Sequence, residues 1–173
     1  MSLFEAAEKG STSMCRQLLA AGSADVAEKN EKGCTPLLIA VDWDHAEVCE
    51  LLLEAGSDVE DGEPNTLFTP LHYAAAHNRE RIIQLLLSHK ADVNSRDRTG
   101  GTPLQMASQE GHLASVLTLL QAGADPLLPC DDGALSIHLA ASENHKEVVR
   151  VLIEQGRCSP DQVKHNHLSK ILP

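Results

Sequence analysis

The chain has 173 residues, 42% of them hydrophobic and 23% charged, and a formal net charge of −11. That length allows one compact domain or one short solenoid, and that balance excludes a disordered chain. The negative charge argues against direct binding of nucleic acid, because phosphate contacts need Lys and Arg.

From the first residues onward the chain is acidic. Glu5 and Glu8 stand where a secretory signal would carry basic residues, and no apolar run approaches the roughly 20 residues that cross a bilayer. The expectation is a cytoplasmic or nuclear protein without a membrane segment. The acidity is uneven: residues 1–66 hold 14 acids and 4 bases, residues 67–132 hold 7 and 5, and residues 133–173 hold 4 and 5. The five cysteines, Cys15, Cys34, Cys49, Cys130 and Cys158, are odd in number and lack C-x-x-C spacing, so reduced thiols are expected rather than a disulfide framework or structural zinc. The aromatic residues are Phe4, Trp43, Phe68 and Tyr73, too few for most sandwiches or barrels. An aliphatic, alanine-rich core suits packed helices.

Ser2 and Glu5 form an S-x-x-E capping box that opens a first helix over Leu3-Phe4-Glu5-Ala6-Ala7. Leu18-Leu19-Ala20-Ala21-Gly22 closes a second. Thr35-Pro36-Leu37-Leu38-Ile39-Ala40 starts the next pair, with Thr as helix cap and Pro at the first helical position. Leu51-Leu52-Leu53-Glu54-Ala55-Gly56 ends that pair, Gly56 supplying a left-handed terminus. The pattern returns at Thr69-Pro70-Leu71-His72-Tyr73-Ala74 with Leu85-Leu86-Leu87-Ser88-His89-Lys90. It returns again at Thr102-Pro103-Leu104-Gln105-Met106-Ala107, with a break at Gly111 and a terminus at Gly123. A degenerate copy, Leu135-Ser136-Ile137-His138-Leu139-Ala140, leads to Val151-Leu152-Ile153-Glu154-Gln155-Gly156, where Gly156 is also expected to be left-handed. The steps between copies are 34, 33 and 33 residues. Ser159-Pro160-Asp161-Gln162 opens what reads as a further helix, with Val163, Leu168, Ile171 and Leu172 on one face.

A period near 33 with a T-P-L-H-x-A core resembles the ankyrin repeat. The resemblance runs from Leu3 to about Gly156. Repeat 5 departs from it by lacking Thr-Pro, and repeat 3 lacks the glycine before Thr69. The resemblance implies an all-α ankyrin-repeat solenoid of helix–turn–helix units joined by extended, hairpin-like turns. The expected units are repeat 1 (1–30), repeat 2 (31–63), repeat 3 (64–96), repeat 4 (97–129) and repeat 5 (130–158). Residues 159–173 are expected to be a C-terminal capping helix or a partial sixth repeat.

Motifs of catalysis are missing: there is no G-x-x-x-x-G-K-[ST], no G-x-S-x-G and no H-E-x-x-H. The expectation is a monomer that is not an enzyme and needs no cofactor or metal. His165 and His167 lack an identifiable third ligand. By the resemblance, His72 and His138 hydrogen-bond neighbouring loops, while His112 and His145 open second helices. Asp131 and Asp132 form a charge pair at a turn tip. Cys34 and Cys130 are expected near turn tips and accessible, with Lys32 as the one group able to activate Cys34.

The resemblance also implies that a protein or peptide partner docks on the concave side, on the turn tips and the exposed ends of the inner helices. Mapped position by position, the candidate contacts are Glu31, Cys34, Asp42, Trp43, Asp44, Phe68, His77, Arg98, Gln109 and Glu110. Trp43 and Phe68 map to adjacent repeats, ringed by Glu31, Asp42, Asp44 and His77. Such an arrangement suits a peptide with Lys or Arg plus an apolar anchor. Tyr73 is expected in the core. The insertion Glu60-Asp61-Gly62-Glu63-Pro64 reads equally as a specificity element or a tolerated loop. Alternatives are a regulatory or inhibitory subunit masking an enzyme or transcription factor, and a recognition domain of a larger enzyme.

Overall fold

The computed structural model describes residues 2–156 and Cys158, so the expected helix over 159–173 and the His165/His167 pair lie outside it. Ten helices and no strand occur among the described residues. They are α1 Leu3–Glu8, α2 Thr12–Ala20, α3 Pro36–Asp42, α4 Ala46–Glu54, α5 Pro70–Ala76, α6 Glu80–Ser88, α7 Pro103–Gln109, α8 Leu113–Gln121, α9 Ser136–Ser142 and α10 Lys146–Glu154. The odd-numbered helices stack in one row and the even-numbered helices in a second. The chain is the expected all-α solenoid.

Local chemistry starts the inner helices. Ser2 Oγ accepts the Glu5 N–H while the Glu5 carboxylate accepts the Ser2 N–H, both at 3.2 Å. Thr35 Oγ1 accepts from Leu38 N–H and Thr102 Oγ1 from Gln105 N–H, each at 3.3 Å. Pro36, Pro70 and Pro103 follow the capping threonines as the first residues of α3, α5 and α7. Repeat 5 lacks the threonine but keeps the other half of the box: His138 Nδ1 accepts the Leu135 N–H at 3.0 Å, as His72 Nδ1 accepts that of Thr69 in repeat 3. Ser136 occupies the proline slot with its hydroxyl buried and unpartnered. Ser136→Pro should therefore raise the unfolding free energy by about 0.5–1 kcal/mol, through a less free unfolded chain and the loss of that hydroxyl. Urea denaturation measures it, and a drop in stability would mean that the backbone there rejects the ring.

Between the two helices of each unit the chain turns through a left-handed residue: Gly10, Asp44, Asn78, Gly111 and Asn144, with φ from 56° to 74°. The next repeat leans on this turn. His45 Nε2 lies 3.0 Å from the Glu8 carbonyl, His112 Nε2 3.0 Å from that of Ala76 and His145 Nε2 2.9 Å from that of Gln109. These histidines are repeat-to-repeat staples. A Cβ on Gly111 would stand 2.4 Å from the His145 ring, so a side chain there needs that ring to shift, whereas the equivalent His112 staple sits beside Asn78. Gly56 and Gly123 end their outer helices left-handed as expected. Gly156 does not: it is absent from the left-handed region, and a Cβ there would sit 2.6 Å from the Leu152 carbonyl oxygen. Crowding against α10 is the reason for that glycine.

The core is aliphatic. Leu37, Leu52, Ile82, Ile83, Leu86, Leu104, Leu119, Ile137 and Leu152 are fully buried. Each is worth about 1.5–3 kcal/mol. Ala6, Ala40, Ala74, Ala107 and Ala140 are also fully buried and let the inner helices approach one another closely. No unit could bury this surface alone.

Candidate partner-binding surface

The tips between units are tight hairpins. Asn30 N–H closes on the Cys34 carbonyl at 3.0 Å, Asp97 N–H on Gly101 at 2.9 Å and Cys130 N–H on Ala134 at 3.0 Å. The tip before repeat 3 is one residue longer, closing from Glu63 N–H to Phe68 at 2.9 Å. In the other tips Gly33, Gly100 and Gly133 take the left-handed position, whereas here Leu67 takes it at φ 59° and remains 48% exposed. A bulky residue held left-handed and in water is strained backbone at an exposed tip.

The candidate contacts divide into groups. Glu31, Asp42 and Trp43 come together. With Phe4, Glu8 and Ile39 they line an open cleft of about 480 Å³ between α1, α3 and the hairpin that precedes α3. Trp43 caps the C-terminus of α3 and is 55% exposed. Phe68 belongs to a second group. Its ring stacks on His72 with centroids 5.3 Å apart and meets Tyr73 edge-on at 5.7 Å. Tyr73 stacks in turn on His77 at 6.2 Å. Among the described residues no ring contact joins Trp43 to Phe68, so the two do not form one aromatic pair.

Four positions differ from the expectation. Cys34 is 8% exposed, closed in by its hairpin, and offers no surface. Burial pushes its thiol up, Glu63 pushes it further, and Lys32 opposes without prevailing. Arg98 donates its guanidinium to the carbonyls of Asn65 and Pro64 and so ties two tips together. Asp44 accepts from Arg79 of the next unit at 3.1 Å. Tyr73 is half-buried rather than core, and its hydroxyl donates to Glu63 Oε2 at 3.2 Å. Burial first, and then Glu63, push the phenol up to about 12. Gln109 and Glu110 are exposed at the end of α7 as expected, though the Gln109 carbonyl already serves His145.

Residue-by-residue mapping missed Phe4, Glu63 and Leu67. Phe4 was legible from its one-turn spacing to Glu8. Glu63 became a site residue through the hairpin that folds it onto Tyr73 and Thr66, whose hydroxyl donates to it at 2.7 Å. The remaining acids of the insertion hold the neighbouring turns: Glu60 accepts the Asp92 N–H at 2.7 Å and Asp61 pairs with Lys29 at 2.6 Å.

His72 underlies the aromatic ladder. Its Nδ1 accepts the Thr69 N–H at 3.2 Å, so the proton sits on Nε2 and is donated to the Gly101 carbonyl at 3.1 Å. Burial holds the imidazole below its ordinary 6.5, against the opposing pull of Gly101 and Asp97. The folded form therefore takes up a proton less readily than the unfolded form. Stability from this group is present above pH 6.5 and is lost as pH falls below it. Repeat 4 carries Gln105 at the same position, donating to Leu128 and Ala134 carbonyls and accepting from Thr102 N–H. His72→Gln should fold and lose less thermal stability than the wild type between pH 7 and pH 5. Equal losses in a pH series of melting curves would sink this assignment.

A family model for ankyrin repeats in three copies matches residues 2–63 and again 60–130, and a single ankyrin-repeat model matches residues 132–165. The chain belongs to the ankyrin-repeat family. It is 38% identical over 104 residues to the mouse (Mus musculus) B-cell lymphoma 3 protein homolog, covering 60% of this chain and 23% of that protein. It is 43% identical over 98 residues to the human (Homo sapiens) palmitoyltransferase ZDHHC13, covering 54% of this chain and 15% of the enzyme. It is 29% identical over 153 residues to the human neurogenic locus notch homolog protein 2, covering 88% of this chain and 6% of that protein. The ankyrin chain thus spans under a quarter of each of these relatives. Ankyrin repeats are protein-interaction modules rather than catalytic ones, and this chain matches its relatives through repeats. No described helix is long and apolar enough to cross a membrane.

Proposed function

We propose that this ankyrin solenoid is a scaffold or adaptor whose concave face holds an extended segment of a protein partner, bearing Lys or Arg together with an apolar anchor. The observation that carries this reading is Trp43, which is 55% exposed in a cleft lined by Glu8, Glu31 and Asp42. A large aromatic side chain left out of the core and surrounded by acids suits cation–π and Coulomb contact with a basic side chain. Half-buried Ile39, Tyr73, Met106 and Leu139, one per repeat, continue an apolar stripe along the inner helices.

Affinity capture from a eukaryotic lysate tests the reading, with wild type beside Trp43→Ala, each checked by circular dichroism. A partner lost with Trp43→Ala, and weakened by salt on the wild type, supports it. Partners that bind both forms equally and ignore salt would overturn it. A second reading, a recognition segment within a larger enzyme, draws on the likeness to the palmitoyltransferase.

A further inference from the structure

We propose that the cleft between α1 and α3 receives the guanidinium of a single arginine. The arginine lies in an extended segment whose apolar anchor reaches the repeat 3 ladder about three to five residues away. This rests on the concave-face reading above and specifies its occupant.

The first argument is which acids already have partners. Asp44, Glu47, Asp61 and Asp131 each pair with a cation of another unit. Glu60 and Glu63 are bonded to donors within their own tip or the next. Among the described residues, the carboxylates of Glu8, Glu31 and Asp42 have no ion pair, although all three line one cleft. Among the described residues that line the cleft, Lys32 is the one cation. The cleft therefore keeps net negative charge that a bound cation would neutralise.

The second argument is the indole. The residue that caps the inner helix is Lys9 in repeat 1, His77 in repeat 3, Glu110 in repeat 4 and Glu143 in repeat 5. Repeat 2 alone places an apolar ring there, on a slot that the fold fills with polar residues. Trp43 offers an open aromatic face, with Phe4 and Ile39 also lining the cleft. A planar guanidinium stacks on an indole and can fork its N–H donors to flanking carboxylates. A lysine ammonium is more strongly hydrated, has no plane to stack and no fixed fork of donors, and so gains less than a guanidinium in this open setting.

The third argument is spacing. Neighbouring inner helices pack roughly 8–10 Å apart, and an extended chain advances about 3.3 Å per residue. From the cleft to the Phe68–Tyr73–His77 ladder is one to one and a half such steps, or about three to five residues. Exposed Leu67 stands beside that ladder and adds apolar surface for the anchor.

A random twelve-residue peptide library displayed on phage, panned against the whole chain, tests the proposal. The selected peptides should share one arginine and an apolar residue at that separation. A synthetic copy of the best should weaken at least tenfold on changing its arginine to lysine. It should weaken tenfold on Trp43→Ala, recover in part with Trp43→Tyr, and lose salt sensitivity with Glu31→Gln/Asp42→Asn. Trp43 is largely exposed, and circular dichroism confirms that each variant folds. A lysine peptide that binds equally, or an optimum at no fixed spacing, would overturn the arginine assignment while leaving the concave-face reading standing. Selected peptides that lack basic residues and bind Trp43→Ala unchanged would overturn both.

Discussion

Gln105→Ala is expected to lower the unfolding free energy by about 3 kcal/mol. Gln105 is fully buried and spans two repeats. Its Oε1 accepts the Thr102 N–H at 2.9 Å, capping the helix that carries it. Its Nε2 donates to the Leu128 carbonyl at 3.1 Å and to the Ala134 carbonyl at 2.9 Å, holding the repeat 5 hairpin against repeat 4. Alanine leaves the buried Thr102 N–H and the half-buried Leu128 carbonyl unpaired, at about 1–3 kcal/mol each. The Ala134 carbonyl retains the Cys130 N–H and loses less. Gln105→His should cost about 1 kcal/mol, because His72 and His138 fill the same slot. Urea denaturation gives the magnitudes, and hydrogen exchange should place the lost protection around residues 128–138. A cost of under about 1 kcal/mol for alanine would mean that this backbone finds other partners.

Gly62→Ala is expected to cost about 2–4 kcal/mol and to disorganise the hairpin tip that precedes repeat 3. A Cβ on Gly62 would lie 2.1 Å from the Phe68 carbonyl oxygen and 2.9 Å from Thr69 Cα. Both are backbone atoms, so no side-chain rotation relieves the overlap. The hairpin must open, which breaks the Glu63–Phe68 bond and moves Glu63, Leu67 and Phe68 together. Gly56→Ala is the comparison. Gly56 sits at φ 94° with nothing near its absent Cβ, so alanine there costs about 1 kcal/mol through backbone conformation alone. Hydrogen exchange over residues 60–69, read beside affinity for a captured partner, tests the difference. Equal costs for the two variants would refute the crowding argument.

The helix pairs and their starts could be read from the residues because the forces that set them are local. A threonine cap acts on the N–H three residues on, a proline acts on its own φ, and the leucine runs report one face of one helix. Ser2 with Glu5, Thr35 with Leu38 and Thr102 with Gln105 make the bonds their spacing requires. The period then supplies the stacking, since every unit has the same unfinished apolar face. Even the departure in repeat 5 behaves locally: without a threonine, His138 still accepts the N–H three residues before it, as His72 does.

The candidate surface obeyed no such local rule. Which exposed positions stay free depends on partners one repeat away, about 33 residues along the chain. Arg98 and Cys34 look alike as tip residues, yet one is spent on the Pro64 and Asn65 carbonyls and the other is enclosed by its hairpin. Phe68 leaves Trp43 for His72 and Tyr73 because one extra residue folds its hairpin back onto Glu63. The residues alone determined an acidic, five-unit ankyrin solenoid with an aliphatic core, because caps, glycine turns and hydrophobic period act within a few residues. Only the tertiary structure decided that Trp43 faces Phe4 and three unpaired carboxylates, because side-chain neighbours across stacked repeats are set by packing rather than by order in the chain.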